Sequence, residues 1–154
     1  LIFLFVFSLV YPSSITEYSI GISDKLGYIG LLNKSWITEK ESGESFWVAG
    51  GIGFAGAYGY GHKHYFLKDS FSTYFSLTGF GYYVLGIGVG ISGAVIATFG
   101  SELSLLEWKD KELILQLGIL SMFDVIRWQN MTLGADNGPQ EVMPSFSLKV
   151  NFIR

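Results

Sequence analysis

The chain has no cysteine among its 154 residues. That excludes a disulfide framework, a thiolate metal centre, a cysteine nucleophile and a lipid anchor on an amino-terminal cysteine. Charge is scarce too, at 15% of residues, with 10 basic against 13 acidic side chains and a net charge of -3. Such a balance offers no basic field to nucleic-acid phosphates, so nucleic acid is not an expected partner. Against these scarcities stand 20 glycines, 13 phenylalanines, nine tyrosines and four tryptophans, with a mean hydropathy of +0.39. A chain this apolar is not disordered, and glycine and aromatics together at such hydropathy are unusual for a domain that meets water on every side. The length suits a single domain.

Residues 1–10 read LIFLFVFSLV, followed by Tyr11, Pro12, Ser13 and Ser14. An apolar run of that length, broken by small residues, reads as the core of an export signal and is about half as long as a spanning helix requires. With no starting methionine and no basic residues ahead of it, the segment is expected to be cut short at its start. The division expected is therefore a signal over 1–14 and one domain over 15–154. The alternative for 1–10 is a buried first strand or helix.

Period two dominates the remainder. Tyr18, Ile20 and Ile22 alternate with Ser19, Gly21 and Ser23; Phe71, Thr73, Phe75 and Leu77 with Ser72, Tyr74, Ser76 and Thr78; Leu113, Leu115, Leu117 and Ile119 with Glu112, Ile114, Gln116 and Gly118. At the carboxyl end, Phe146, Leu148, Val150 and Phe152 alternate with Ser145, Ser147, Lys149 and Asn151. These are strands with two unlike faces.

The run 79–100 is uncharged and long enough to cross a bilayer as a helix. However, Gly86, Gly88 and Gly90 alternate with Leu85, Ile87, Val89 and Ile91. Each glycine would cost a helix roughly 1 kcal/mol, whereas on a strand all three share one side. A strand is the better reading, with a turn at Ser92-Gly93. The resulting map has eight segments: 18–23, 27–37, 46–66 with a bend, 71–80, 84–91, 94–108, 111–127 and 144–153. Short connections at Asp24-Lys25, Leu67 to Ser70, Gly81 to Tyr83 and Lys109-Asp110, with longer ones over 38–45 and 129–143, make an antiparallel meander. The expected fold is all-β, the meander closed into a small barrel of about eight strands.

A soluble sandwich or barrel turns its apolar face inward and its charges outward. Here the less apolar face is mostly glycine, serine, alanine and threonine, and the charges gather in the expected connections, at Glu39, Lys40, Glu41 and Glu44, at Lys63, Lys68 and Asp69, and over 109–112. Trp36, Trp47, Tyr82, Tyr83, Trp108 and Trp128 fall near the expected strand ends, where interfacial girdles would put them. The export signal, the alternating strands and the terminal segment together resemble small outer-membrane β-barrel proteins of diderm bacteria. In that class the last strand alternates and finishes on an aromatic that the barrel assembly machinery recognises. The resemblance implies that role for Phe146, Leu148, Val150 and Phe152, with Ile153 and Arg154 extending beyond.

Chemistry-bearing residues are few. His62 and His64 share a strand face and would supply half of a metal site, the plainer reading being solvated histidines near a strand end. No triad stands out among the serines, and no glycine-rich string sits between a strand and a helix as a phosphate loop must. No cofactor is expected. Glu112, Gln116, Lys149 and Asn151 fall on inward faces and are expected to satisfy one another as structural polar groups. The function expected is that of an exported outer-membrane barrel with a structural or binding role, too narrow for a wide pore. Its partners would be the lipid bilayer and the assembly machinery. The alternatives are a soluble periplasmic barrel holding an apolar ligand, a helical membrane protein spanning 79–100, and an outer-membrane enzyme.

Overall fold

The computed structural model describes residues 15–52, 55–85, 89–129, 132–134 and 141–153. The expected signal, 1–14, and Gly86 and Gly88 lie outside these. Among the described residues there are nine strands: β1 (Ile15–Ile22), β2 (Leu32–Lys40), β3 (Gly43–Ile52), β4 (Ala55–Leu67), β5 (Phe71–Leu85), β6 (Val89–Trp108), β7 (Lys111–Gln129), the short β8 (Thr132–Gly134) and β9 (Glu141–Ile153). Neighbours pair antiparallel from β1 to β7, β9 pairs with both β7 and β1, and β8 lies on the end of β7. The eight longer strands thus form a closed barrel, which leaves no unpaired edge. The run 79–100 is strand on both sides of residues 86–88.

The expected count of eight holds, but two misplaced divisions cancel within it. The segment 46–66 is two strands, β3 and β4. The three expected segments 71–80, 84–91 and 94–108 are only two, because Gly81 to Tyr83 and Ser92-Gly93 continue their strands. At Ser92 the side chain is buried, and Gly93 sits at a bulge where β7 contributes one extra residue. A bulge accommodates a small residue without ending a strand. At 38–45 the expected long connection shrinks to Glu41 and Ser42, since Lys40 still pairs with Gly43 and Glu39 with Glu44. The short Asp24-Lys25 turn becomes instead the whole stretch 23–31.

Both ends of the described chain and the connections 41–42, 68–70 and 109–110 lie at one end of the barrel. The stretch 23–31 and the strand ends at Ile52, Ala55, Leu85, Val89 and Gln129 lie at the opposite end. A circuit of the ladder leaving Leu113 through Val150, Tyr18, Lys34, Ala49, Tyr58, Gly81 and Gly93 returns to β7 at Ile126, thirteen positions along and including the bulge. So large a stagger tilts the strands and widens the lumen beyond what strand number alone would give.

The two faces are inverted relative to a water-soluble protein. On β5, Ser72, Tyr74, Ser76 and Thr78 are buried while Phe71, Phe75 and Leu77 are exposed. On β9, Ser145, Ser147, Lys149 and Asn151 are buried while Phe146 and Leu148 are exposed. β6 and β7 present Phe99, Leu103, Leu117, Ile119 and Phe123 outward. Within the lumen an apolar cluster of Phe46, Val48, Phe80, Ile96, Leu120 and Met122 shares the space with buried polar and charged groups.

Candidate functional site

The wide lumen is filled from the β1–β2 connection, whose residues 23–31 fold inward. Ser23 starts the turn, its hydroxyl accepting from the backbone N–H of Lys25 (3.4 Å) and Leu26 (3.2 Å) and from the Asn33 amide (3.1 Å). Gly27 closes it, with its N–H on the Ser23 carbonyl (3.0 Å) and φ of 57°, a conformation glycine adopts without a Cβ penalty. A side chain at Gly27 would also press on Ile96. Leu26 and Ile29 join the apolar cluster, and Thr98 donates to the Asp24 carbonyl at 3.3 Å, tying the tongue to β6.

Asp24, at the tip, meets strand residues that are far apart in sequence. Its two carboxylate oxygens lie 2.8 Å from Lys149 Nζ and 2.8 Å from Lys63 Nζ. Both ammonium groups also contact Glu102 Oε1, each at 2.7 Å. Two carboxylates and two ammoniums therefore alternate in a ring from β4, β6, β9 and the tongue. Lys25 pairs with Glu17 at 2.7 Å, and Glu44 lies 3.6 Å from Lys63. The Tyr65 hydroxyl donates to Glu102 (3.0 Å) and Glu44 (3.3 Å), and Lys63 lies 4.3 Å from the centroid of the Tyr74 ring. All seven charged side chains are buried. Burial raises the pKa of Asp24, but Lys149, Lys63 and Lys25 outweigh it and hold the carboxyl below the usual range. A buried charge is tolerated only with partners and hydrogen bonds of this kind.

Of the expected inward network, Gln116, Lys149 and Asn151 are buried inside. Gln116 bridges Ser145 (2.6 Å) and Ser147 (2.7 Å). Glu112 is only partly buried, at the start of β7. The main correction concerns charge. Glu44 and Lys63, expected in connections, are on strands facing the lumen, and Asp24 and Lys25, expected as a short connection, are fully buried. The signal available in sequence was the strand period itself, which carries Lys63 onto the face opposite His62 and His64.

Those histidines flank Lys63 and are exposed. His62 Nδ1 lies 3.0 Å from Ser45 Oγ on the paired strand, and the His64 ring packs edge-on to Phe66 at 5.3 Å. Among the described residues no group of three or more His, Cys, Asp or Glu is assembled to hold a metal ion. Among the described residues no carboxylate is paired with His62, and the neighbouring Glu44 turns inward.

The aromatic residues divide. Trp108 ends β6 fully outward, and Tyr83 is exposed near the end of β5. Trp128 lies on β7, its side chain outside the described residues. Trp36 and Trp47 are not at strand ends; they face each other in mid-strand because β2 and β3 continue through the charged residues. Tyr82 turns into the barrel, beside Phe80. On the closing strand β9, Phe146 and Leu148 are exposed outward and Val150 and Phe152 partly so.

Comparison with profiles of known protein families, with curated proteins and with solved structures gives no match.

Proposed function

We propose that this chain is an exported barrel of the outer membrane of a diderm bacterium, acting as a structural or binding component with a closed lumen and no catalytic role. The observation that carries this reading is the inversion of polarity. Seven charged side chains are buried inside, while Phe99, Leu117, Ile119, Phe146 and their neighbours cover the outside. In water such a surface would be driven to associate. In a bilayer it is the required surface, with each backbone group satisfied by the closed ladder. The connections beside the chain ends have two or three residues, as the short turns of such barrels do, and the nine-residue stretch 23–31 lies opposite.

The tongue and its ionic ring occupy the space a diffusion pore would need, which supports a structural or binding role over transport. They also occupy the chamber that a soluble barrel would use for an apolar ligand. β9, with Phe146 and Phe152 outward, is the segment proposed to engage the barrel assembly machinery. Trp108 and Tyr83 are proposed as interfacial anchors.

The test is a heat-modifiability gel on the membrane fraction, run beside a plain-buffer wash. The folded barrel is expected to stay with membranes and to change mobility on boiling. A chain released as a monomer by buffer, with one mobility before and after boiling, refutes the reading.

A further inference from the structure

Across the outer wall, β1 to β5 and β9 enclose a groove of about 880 Å³. It exists because two neighbouring rungs of the ladder carry only glycine or alanine at four of their seven positions. One runs Lys34, Ala49, Tyr58, Gly81, and the next runs Gly51, Gly56, Tyr83. Tyr83 lies across Gly56, as a Cβ there would come within 2.6 Å of its ring. Tyr58 stands between Ala49 and Gly81, with its ring stacked on Trp47 at 5.4 Å, so the two small residues open the floor on either side of it, Ala49 toward Tyr18, Ile20 and Leu32 and Gly81 toward Tyr83.

Of the residues lining the groove, one is charged, Lys34. Lys34 Nζ sits 5.4 Å from the Tyr18 ring centroid and 5.1 Å from that of Trp36, and no carboxylate among the described residues pairs with it. A lysine on an outward face bends its ammonium toward whatever anion the apolar surface brings near. In a bilayer the amphiphile that offers an apolar chain and an anion together is a phosphate-bearing lipid.

We infer that this groove binds one anionic phospholipid, an acyl chain lying over Ala49 and Gly81 and the phosphate meeting Lys34. The inference rests on the membrane reading above. It adds a defined lipid site to a surface that otherwise meets lipid without selection.

Substitutions can test it without breaking the wall. A Cβ at Gly81 would meet only the Ser92 carbonyl oxygen, at 3.8 Å, and one at Gly79 would meet nothing within 4 Å. Gly81→Leu fills the groove, and Gly79→Leu adds the same bulk on the same strand outside it. The folded protein in detergent is incubated with dioleoyl phosphatidylglycerol or dioleoyl phosphatidylcholine, and retained lipids are counted by native mass spectrometry. The wild type is expected to keep one phosphatidylglycerol with about a fivefold preference, the worth of one lysine near an anionic surface. Lys34→Gln should erase the preference while still retaining phosphatidylcholine. Gly81→Leu should lose both lipids, and Gly79→Leu neither. Ala49→Leu, filling the floor from β3, should repeat the loss and covers a folding failure of Gly81→Leu.

Unchanged retention in both filled variants overturns the site, as does a preference that survives Lys34→Gln. A wild-type dimer that Gly81→Leu dissociates also overturns it, in favour of a second copy as occupant. Failure of the membrane reading is separate, read from the buffer wash and the unboiled gel.

Discussion

Replacing Lys149 by methionine removes one of the two ammoniums that Asp24 and Glu102 share. In the native protein the Lys149 side chain is wholly buried, with its Nζ 2.8 Å from Asp24 and 2.7 Å from Glu102. Methionine preserves most of the stem volume, so the loss is mainly one of charge. The cluster then holds four buried carboxylates against two ammoniums, Lys25 and Lys63. Breaking a buried pair on one side typically costs about 3 to 5 kcal/mol, because the orphaned charge stays desolvated. The contrast is Lys68→Met, whose 2.9 Å pair with Glu39 is about half exposed on both sides (46% and 45%). An exposed pair of that kind is worth below about 1 kcal/mol. The assay is the urea midpoint in detergent micelles, followed by tryptophan emission and checked on unboiled gels. Acid supplies the sign. Asp24 is held below the ordinary aspartate value, so its contribution to stability is present above that value and is lost as pH falls through the lower, folded-state value. In the variant, Asp24 keeps fewer cations and takes up a proton more readily, so the gap to wild type should narrow toward acid pH. Equal midpoints for Lys149→Met and Lys68→Met, or a gap that widens in acid, would refute the reasoning.

Asp24→Ala releases the tip of the tongue from both lysines; trypsin should then cut after Lys25, fully buried in the native protein, and planar bilayers should carry ion currents that the wild type does not. Phe99 is 58% exposed about halfway along β6, so Phe99→Lys should cost about 2 to 4 kcal/mol in vesicles, as for a lipid-facing lysine at mid-bilayer, whereas a change near zero would point to water outside. At Gly100 a Cβ would come within 2.6 Å of the Leu117 carbonyl and 2.9 Å of the Tyr74 hydroxyl, so Gly100→Ala should lower stability by about 1 to 3 kcal/mol, read as a lower urea midpoint.

Much of the fold is legible in the sequence because the barrel wall is one residue thick. Alternate residues of a strand face opposite sides, and here the sides differ sharply, so 71–78, 111–119 and 145–152 show their state in the order of their letters. Gln116, Lys149 and Asn151 were legible as inward polar groups for the same reason. The divisions at 50–54 and 92–93 were not. Glycine and serine serve equally in a turn, at a bulge and on a strand where a neighbouring ring needs room, and local sequence does not separate these uses. At the tail of β2 and the head of β3 charge does not mark a connection: Glu39 and Lys40 are exposed on a strand that continues, and Glu44 faces its partners in the lumen.

The ionic ring lay beyond local reasoning. Lys63 and Glu102 are 39 residues apart, Glu102 and Lys149 47, and Asp24 and Lys149 125. Their meeting depends on barrel closure, on the stagger that widens the lumen, and on a turn at Ser23 and Gly27 that sends Asp24 inward. The sequence by itself determined the all-β class, the period of the strands and the presence of two unlike faces, since these follow from the geometry of an extended chain. Only the tertiary structure decided which face is inside, which charges meet and where the outer wall is hollow. Those outcomes depend on register and closure, and neither is carried by any one strand.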